Sequence, residues 1–403
     1  MFTILREKEK TVRKLWTALC LASVLGATGT TALAGEIKIG YVNTFSGPGA
    51  ILGKHYKDGF ELALEELGGK MGGLTVKVEY GDDQLKPEVA KTVVERMVDR
   101  DHVDIVAGFN FSNVLLASVK TVTSAGKLLI SSNPGPSNLA GAQCQPNFFD
   151  VGQQNDGASE ALGRYLKSKN VKSIYAIAPN YQAGRDMIAG LKRGFGKELA
   201  DEVYTQLSQT DFQVELSQIR AANPTAVFAF MPGGNGINFV KQWAQAGLNG
   251  KIPLYSVYSV DHTTLPAIGP SAEGTMGVSQ YVEDLPFETN QAFVKKFVER
   301  YKYYPSEYAA SAYDTAMLIN SAVVATHGKL DNIDALRAAV QKADFKSVRG
   351  PDFKLGRNHM PIQNYYLRET VKKEDGTLGF VTRGIVAENY KDHYSAQCTN
   401  IKG

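Results

Sequence analysis

Short apolar runs alternate with amphipathic helices along this chain, and the alternation runs through twice. Few other patterns restrict a fold so tightly. Residues 36–42 predict a strand, and 53–67 a helix with apolar side chains three and four positions apart. A second strand is expected at 74–80. Asp82 and Asp83 follow it, and Pro87 then opens a helix to residue 98 at a position that tolerates proline. Residues 103–107 and 128–131 predict two more strands, with a helix between them after the loop 108–113. Strands and helices in this order predict a parallel sheet covered on both faces.

The same rhythm then restarts. Helices are expected at 155–167, 183–199, 214–221 and 236–246, and strands at 173–178, 203–205, 226–231 and 253–257. A second α/β domain follows from that repetition. The last third breaks the pattern, with three helices at 289–304, 307–326 and 333–343 and two short strands at 363–367 and 378–381; Phe287 stands just ahead of the first helix to cap its apolar face. Helices arriving so late can complete the first domain, so the chain is expected to cross between domains more than once. Several crossings make a hinge rather than a simple linker.

The N-terminus carries a second message. Residues 6–14 are basic, 16–27 form a short apolar stretch, and Ala32 and Ala34 flank Leu33 as in a small-x-small cleavage site. An export signal over 1–34 is therefore expected, leaving 369 residues, enough for two domains. Of 44 Lys and Arg and 41 Asp and Glu, the first 34 residues hold five and two, so the remainder is balanced at 39 of each. A neutral balance argues against nucleic acid or an anionic membrane as partner, since both call for a basic surface excess. Cys20 lies inside the apolar stretch, a poor site for a lipid anchor. Cys144 and Cys398 remain beyond it, and an oxidising compartment favours a disulfide between them, two separate thiols being the alternative. Two cysteines and scattered histidines supply no ligand cluster for structural zinc.

In open α/β sheets, ligands bind beyond the carboxyl ends of the strands. That rule selects the loops at 46–53, 108–113, 131–137, 180–184, 231–236 and 258–264. Ser112 stands at an expected helix start, with Gly108 permitting close backbone approach; an ordinary N-cap and a ligand contact are both consistent with it. Ser131, Ser132 and Asn133 end a strand, and Pro134, Gly135 and Pro136 stiffen the following loop. Tyr181 offers a ring face and a hydroxyl from the second domain. Phe230, Met231 and Pro232 form an apolar wall ahead of Gly233 and Gly234, with Met231 and Gly233 the better pocket candidates. Asp261 is placed either to pair with a ligand ammonium or to cap the turn after it. Arg185 and Asp186 are surface or cleft groups.

Enzyme readings find little support. A triad of Ser46, His262 and Asp261 fails because adjacent Asp and His side chains cannot readily orient one another. The glycines around 233–236 do not form a dinucleotide fingerprint, and no phosphate loop is present. No cofactor is implied.

Several pieces stand in a telling order: the strand into Ser46, Gly47 and Pro48 with Gly53 beyond, Asp82 and Asp83 with Pro87, and residues 103–108 with Ser112. The loop 130–135, Tyr181 with Gly184, and Tyr308, Ala312, Tyr313 and Asp314 in the long late helix complete the set. Together they resemble the periplasmic solute-binding proteins of ABC importers, of the leucine/isoleucine/valine-binding (type I) family. The resemblance implies an α/β fold of two lobes, each a parallel-sheet α/β sandwich, joined by a three-crossing hinge. Lobe 1 would take 35–153 plus about 281–345, and lobe 2 would take 154–280 plus about 346–403. It further implies a ligand carboxylate held by Ser112 with Asn133, Pro134 and Gly135, a large side chain at Leu52, and second-lobe contacts from Tyr181, Ala183, Met231, Gly233 and Asp261. The implied setting is the periplasm, and the implied partners are a small carboxylate solute and an inner-membrane ABC permease complex, with a monomer expected.

Two departures bear on the solute. Amino-acid binders of this family usually have a threonine in the stretch that is Asn133 to Gly135 here, and Gly135 supplies no hydroxyl; they also present a secure acidic partner to the ammonium, and Asp261 occupies only an approximately matching place. Aromatic loops holding Phe45, Phe109, Phe111, Tyr181 and Tyr258 look more like relatives that bind aromatic carboxylates. An aromatic or other hydrophobic carboxylate is therefore expected ahead of a branched-chain amino acid, and a soluble ligand sensor remains a further alternative.

Overall fold

The computed structural model describes residues 35–374 and 376–401; the expected export signal, with Cys20, lies outside them. Two sheets organise the described chain. The first contains β1 (Glu36–Asn43), β2 (Lys70–Met71), β3 (Leu74–Asp82), β4 (Ile105–Gly108), β5 (Leu128–Ser131) and, beyond a small pairing of β6 (Pro134–Gly135), β7 (Phe148–Asp150). Its order is β2-β3-β1-β4-β5-β7, parallel except for β2. The partner of β6 is β8 (Gln153–Gln154).

The second sheet opens with β9 (Ile174–Pro179), β10 (Asp201–Thr205), β11 (Ala226–Ala229), β12 (Leu254–Ser256) and β13 (Met276–Ser279), arranged β10-β9-β11-β12-β13 and all parallel. Antiparallel strands extend it: β14 (Lys354–Leu355) and β16 (Leu378–Tyr390) both pair with β15 (Pro361–Lys372), which itself lies against β13. Strands such as β4, β5, β9 and β11 are buried along their whole length, as expected when helices cover both faces.

Of the late helices, Glu307–Ala325 packs principally on Ala50–Glu66, Glu288–Tyr301 touches that same helix, and Ile333–Lys342 packs on Glu307–Ala325. The chain therefore links elements of the two sheets near residues 151–156, 280–287 and 343–353. Cys144 and Cys398 are joined by a disulfide, with their Cα atoms 5.6 Å apart.

Several expected elements change extent. The helix expected at 183–199 is Gln182–Phe195, because Gly196 takes a left-handed conformation (φ 67°) and ends it. The helix expected from residue 53 begins at Ala50, fed directly by the 3-10 turn Gly47–Gly49. The two short strands expected near the C-terminus are a 12- and a 13-residue hairpin. β7 and β13 do not appear among the expected strands at all.

Candidate ligand-binding cleft

Loops leaving β4, β5, β9, β11 and β12 converge on one cavity of about 20 Å³. Both sheets thus present the carboxyl ends of their strands to the same cleft, and the order of each reverses there, between β1 and β4 in one and between β9 and β11 in the other. The lobes are closed over it. A cavity this small has room for roughly one water, so a larger solute enters only if the lobes part.

The first-lobe side is polar. β4 ends at Gly108, whose φ is +106°, and a Cβ there would lie 2.3 Å from the Val42 carbonyl oxygen. Only glycine permits that approach, which carries Phe109 (φ 65°) and Asn110 over the sheet's edge. The helix Ser112–Ser124 then starts at the cavity with Phe111 at its N-cap, a side chain unable to cap it. Its first amides lack intrahelical partners and carry partial positive charge. Asn133 Nδ2 donates to the Asn110 carbonyl at 2.7 Å, and Gln153 Nε2 to Asn133 Oδ1 at 3.4 Å. Asn110 Nδ2 and Gln153 Oε1 are buried with no hydrogen-bond partner, and both residues line the cavity.

Aromatic rings close the other sides. The Tyr181 ring lies 6.2 Å from Phe111 across the cleft and 6.2 Å from Phe230, nearly parallel to the latter at 17°. Tyr258 and Tyr308 meet at 6.4 Å, one from each lobe, and the Tyr258 hydroxyl donates to Gln280 Oε1 at 2.6 Å. Burial raises the phenols of Tyr181, Tyr258 and Tyr308 well above their ordinary range, so all three stay neutral. Among the described residues, none that lines the cavity is charged.

Ten of the residues named from sequence line the cavity: Ser112, Asn133, Pro134, Tyr181, Ala183, Tyr258, Phe111, Phe230, Pro232 and Tyr308. Five that were expected to contact the ligand, Leu52, Gly135, Met231, Gly233 and Asp261, do not. Leu52 is fully buried and meets Gly233 from the opposite lobe, where a Cβ on Gly233 would lie 3.5 Å from Leu52 Cδ1. Beside it, Gly234 faces Pro48 at an ordinary contact distance, 3.6 Å from the Pro48 carbonyl oxygen to a Cβ built there. These pairs form a rim where the lobes touch. Gly135 is pressed between β7 and β8, where a Cβ would come 2.3 Å from Asp150 Oδ2 and 2.7 Å from the Gln153 carbonyl oxygen. The backbone amide of Met231 donates to Ser259 Oγ at 2.7 Å, and its side chain is buried.

Asp261 turns into its own loop. One oxygen accepts from the Thr263 amide at 2.7 Å and the Thr264 amide at 3.3 Å; the other is buried without a partner. Burial, reinforced by the neighbouring Glu307 carboxylate, pushes its carboxyl up to about 6. The triad of Ser46, His262 and Asp261 is not assembled: Ser46 is exposed, and His262 pairs with Glu283 at 3.0 Å. Asn110, Gln153, Asn155 and Met187 are lining residues that sequence reasoning missed. Their positions just past strand ends were the available signal for Asn110 and for Gln153.

Comparison with known proteins agrees with this geometry. The family model described as periplasmic binding protein matches residues 36–376. A Leu/Ile/Val-binding protein homolog of Brucella melitensis is 28% identical over 370 residues, covering 89% of this chain and 94% of that protein. The crystal structure of an ABC-transporter solute-binding protein from R. palustris in complex with benzoate superimposes with a TM-score of 0.85, at 32% identity, over 91% of this chain and 100% of that one. Another from Rhodopseudomonas palustris BisB5, in complex with 3,4-dihydroxybenzoic acid, gives 0.83 at 26% identity over 89% and 99%. With two α/β lobes meeting at a closed cleft and a family match spanning both of them, this chain belongs to the periplasmic binding protein family.

Proposed function

We propose that this chain is the extracytoplasmic binding component of an ABC importer, working by capture and closure rather than catalysis, and that its solute is a small aromatic or other hydrophobic carboxylate. The observation that carries the solute class is the uncharged lining of the cavity, in which five of the fourteen described residues are aromatic. A carboxylate is matched there by neutral donors: the first amides of the helix Ser112–Ser124, the Ser112 hydroxyl and the unpartnered Asn110 amide. An α-amino acid brings an ammonium as well, and none of the described lining residues is a carboxylate to meet it, so its desolvation would go uncompensated. Phe111, Tyr181 and Phe230 supply flat apolar faces for a ring.

Closure follows from contacts on both sides. A ligand shifts an open–closed equilibrium only by its differential affinity for the two states, and one touching Ser112 from the first lobe and Tyr181 from the second has that differential. The three connections near 151–156, 280–287 and 343–353 act as the hinge, and the closed form is what a membrane permease would recognise. A monomer suffices for this cycle.

The branched-chain amino-acid reading keeps one supporting observation, the Leu/Ile/Val-binding names of relatives at 28% identity. Thermal-shift and calorimetric titration with benzoate, 4-hydroxybenzoate, leucine and valine separates the two readings. Benzoates are expected to raise the melting temperature and the aliphatic amino acids to leave it unmoved, with Ser112→Ala lowering benzoate affinity about tenfold, the worth of a charge-assisted hydrogen bond. Stabilisation by leucine or valine alone would overturn the proposal.

A further inference from the structure

Asp186 lies in the first turns of the helix Gln182–Phe195 and is only 4% exposed, yet the cations near it in sequence are engaged elsewhere: Arg185 with Asn180, Arg193 with Asp156 and Glu160. Its two oxygens instead collect four neutral donors. Ser137 gives its amide at 3.1 Å and its hydroxyl at 2.7 Å, Gln182 its Nε2 at 2.8 Å, and Asn155 its Nδ2 at 2.8 Å. Ser137 follows β6 at the edge of the first lobe, whereas Asp186 belongs to the second, so this arrangement is assembled only when the lobes are closed.

The polarity of the chain is fixed from its acidic end. A carboxylate only accepts, so the edge of Asn155 that faces Asp186 must be its NH₂ group. The same Nδ2 lies 3.0 Å from Ser112 Oγ, so its other hydrogen is given to that oxygen. A serine oxygen that accepts there keeps its own O–H free to donate elsewhere, and Ser112 lines the cavity. We infer that Asp186 is a positioning residue: acting through Asn155, it sets the Ser112 hydroxyl as a donor toward an anionic oxygen in the cavity, and it does so only in the closed form. A solute group that must itself donate at that point would meet one hydrogen with another. The selectivity half of this inference rests on the carboxylate reading above; the closure half does not.

The test compares benzoate with benzamide, its near-isosteric donor analogue, by calorimetry on the wild type, Asp186→Ala and Asn155→Ala. An interlobe distance is measured in parallel with spin labels on the two lobes, without ligand. Freed from Asp186, the Asn155 amide can turn its oxygen to Ser112 and claim the hydroxyl's hydrogen. Asp186→Ala is expected to weaken benzoate about tenfold while changing benzamide less than about twofold, and to shift the distance distribution toward longer values. Asn155→Ala keeps Asp186 and Ser137 in place but removes the relay, and it should reproduce the fall in the benzoate-to-benzamide ratio with a smaller change in distance. Equal weakening of both ligands, or an unchanged ratio in both variants, would mean that Asp186 only packs the interface and would overturn the inference. If the wild type binds neither ligand, the carboxylate reading fails by itself; the distance measurement still decides the closure half, which an unchanged distribution in Asp186→Ala would refute.

Discussion

His359 packs its ring face to face with Phe149, centroids 3.9 Å apart, and its Nδ1 meets the Phe148 carbonyl at 2.9 Å. Burial outweighs that hydrogen bond and lowers its pKa from 6.5 to about 4. Between those two values the unfolded chain binds a proton that the native protein does not. The stability contributed by the neutral ring is therefore complete above pH 6.5 and is lost as pH falls through about 4. Replacing it with a non-titrating donor, His359→Gln, is expected to flatten the acid limb of the melting-temperature profile, removing about one proton's worth of slope between those values. An unaltered slope in the variant would show that the ring does not titrate there. At this scale the sequence was informative where a residue's place at the cavity follows from its position past a strand end, as with Ser112 and Tyr181. It was silent where a role depends on what the side chain turns toward. Asn110, Asn133 and Gln153 become one polar wall only because β4 pairs with β5 and the chain beyond β5 pairs, through β6, with β8, and Asp261 turns one carboxylate oxygen to its own loop. Neither fact leaves a trace in local composition.

Helix and hairpin meet through buried charge. Glu307, in the first turn of the helix Glu307–Ala325, accepts from Arg368 of β15 at 2.9 and 3.3 Å, and the guanidinium also reaches the Val260 carbonyl at 3.0 Å while lying 4.6 Å from the Phe380 ring centre. Both side chains are almost wholly buried, at 4% and 1% exposed. Removing one partner strands the other charge in the interior, so Arg368→Met is expected to cost about 3–5 kcal/mol in urea unfolding. The double variant Arg368→Met with Glu307→Leu should recover most of that loss; a double variant as unstable as the single would show that packing, not the stranded charge, is responsible. Elements of ordinary length were legible from apolar spacing, including the late helices. β7 and β13 were not; they are held in place by hydrogen bonds to neighbouring strands, β7 by β5 and β13 by β12 and β15. The hairpin of β15 and β16 was recognised but shortened, because register shifts within it break the alternation that marks a strand's length.

Two sheets from two rounds of one rhythm were readable at the scale of the whole molecule, because parallel α/β units announce themselves by order alone. Which sheet the last third joins is a matter of contacts between residues far apart in the chain, and composition holds no record of them. The rim shows how finely the two lobes are spaced. Gly234 opens its helix against Pro48, where an added Cβ would sit in ordinary contact, and it lies outside the lining of the cavity. A side chain added at that position becomes a shim whose thickness is chosen by the experimenter. Gly234→Ala fits the existing gap and should leave the radius of gyration in solution scattering unchanged, while Val, Leu and Phe should prop the lobes apart by increasing amounts and weaken ligand affinity in the same order. Because the shim touches no binding residue, the ranking of solutes should hold across the series; affinity that stays constant from Gly to Phe would show that the rim does not limit closure. An affinity adjusted in this way is set by the width of a doorway and not by the chemistry of the room behind it.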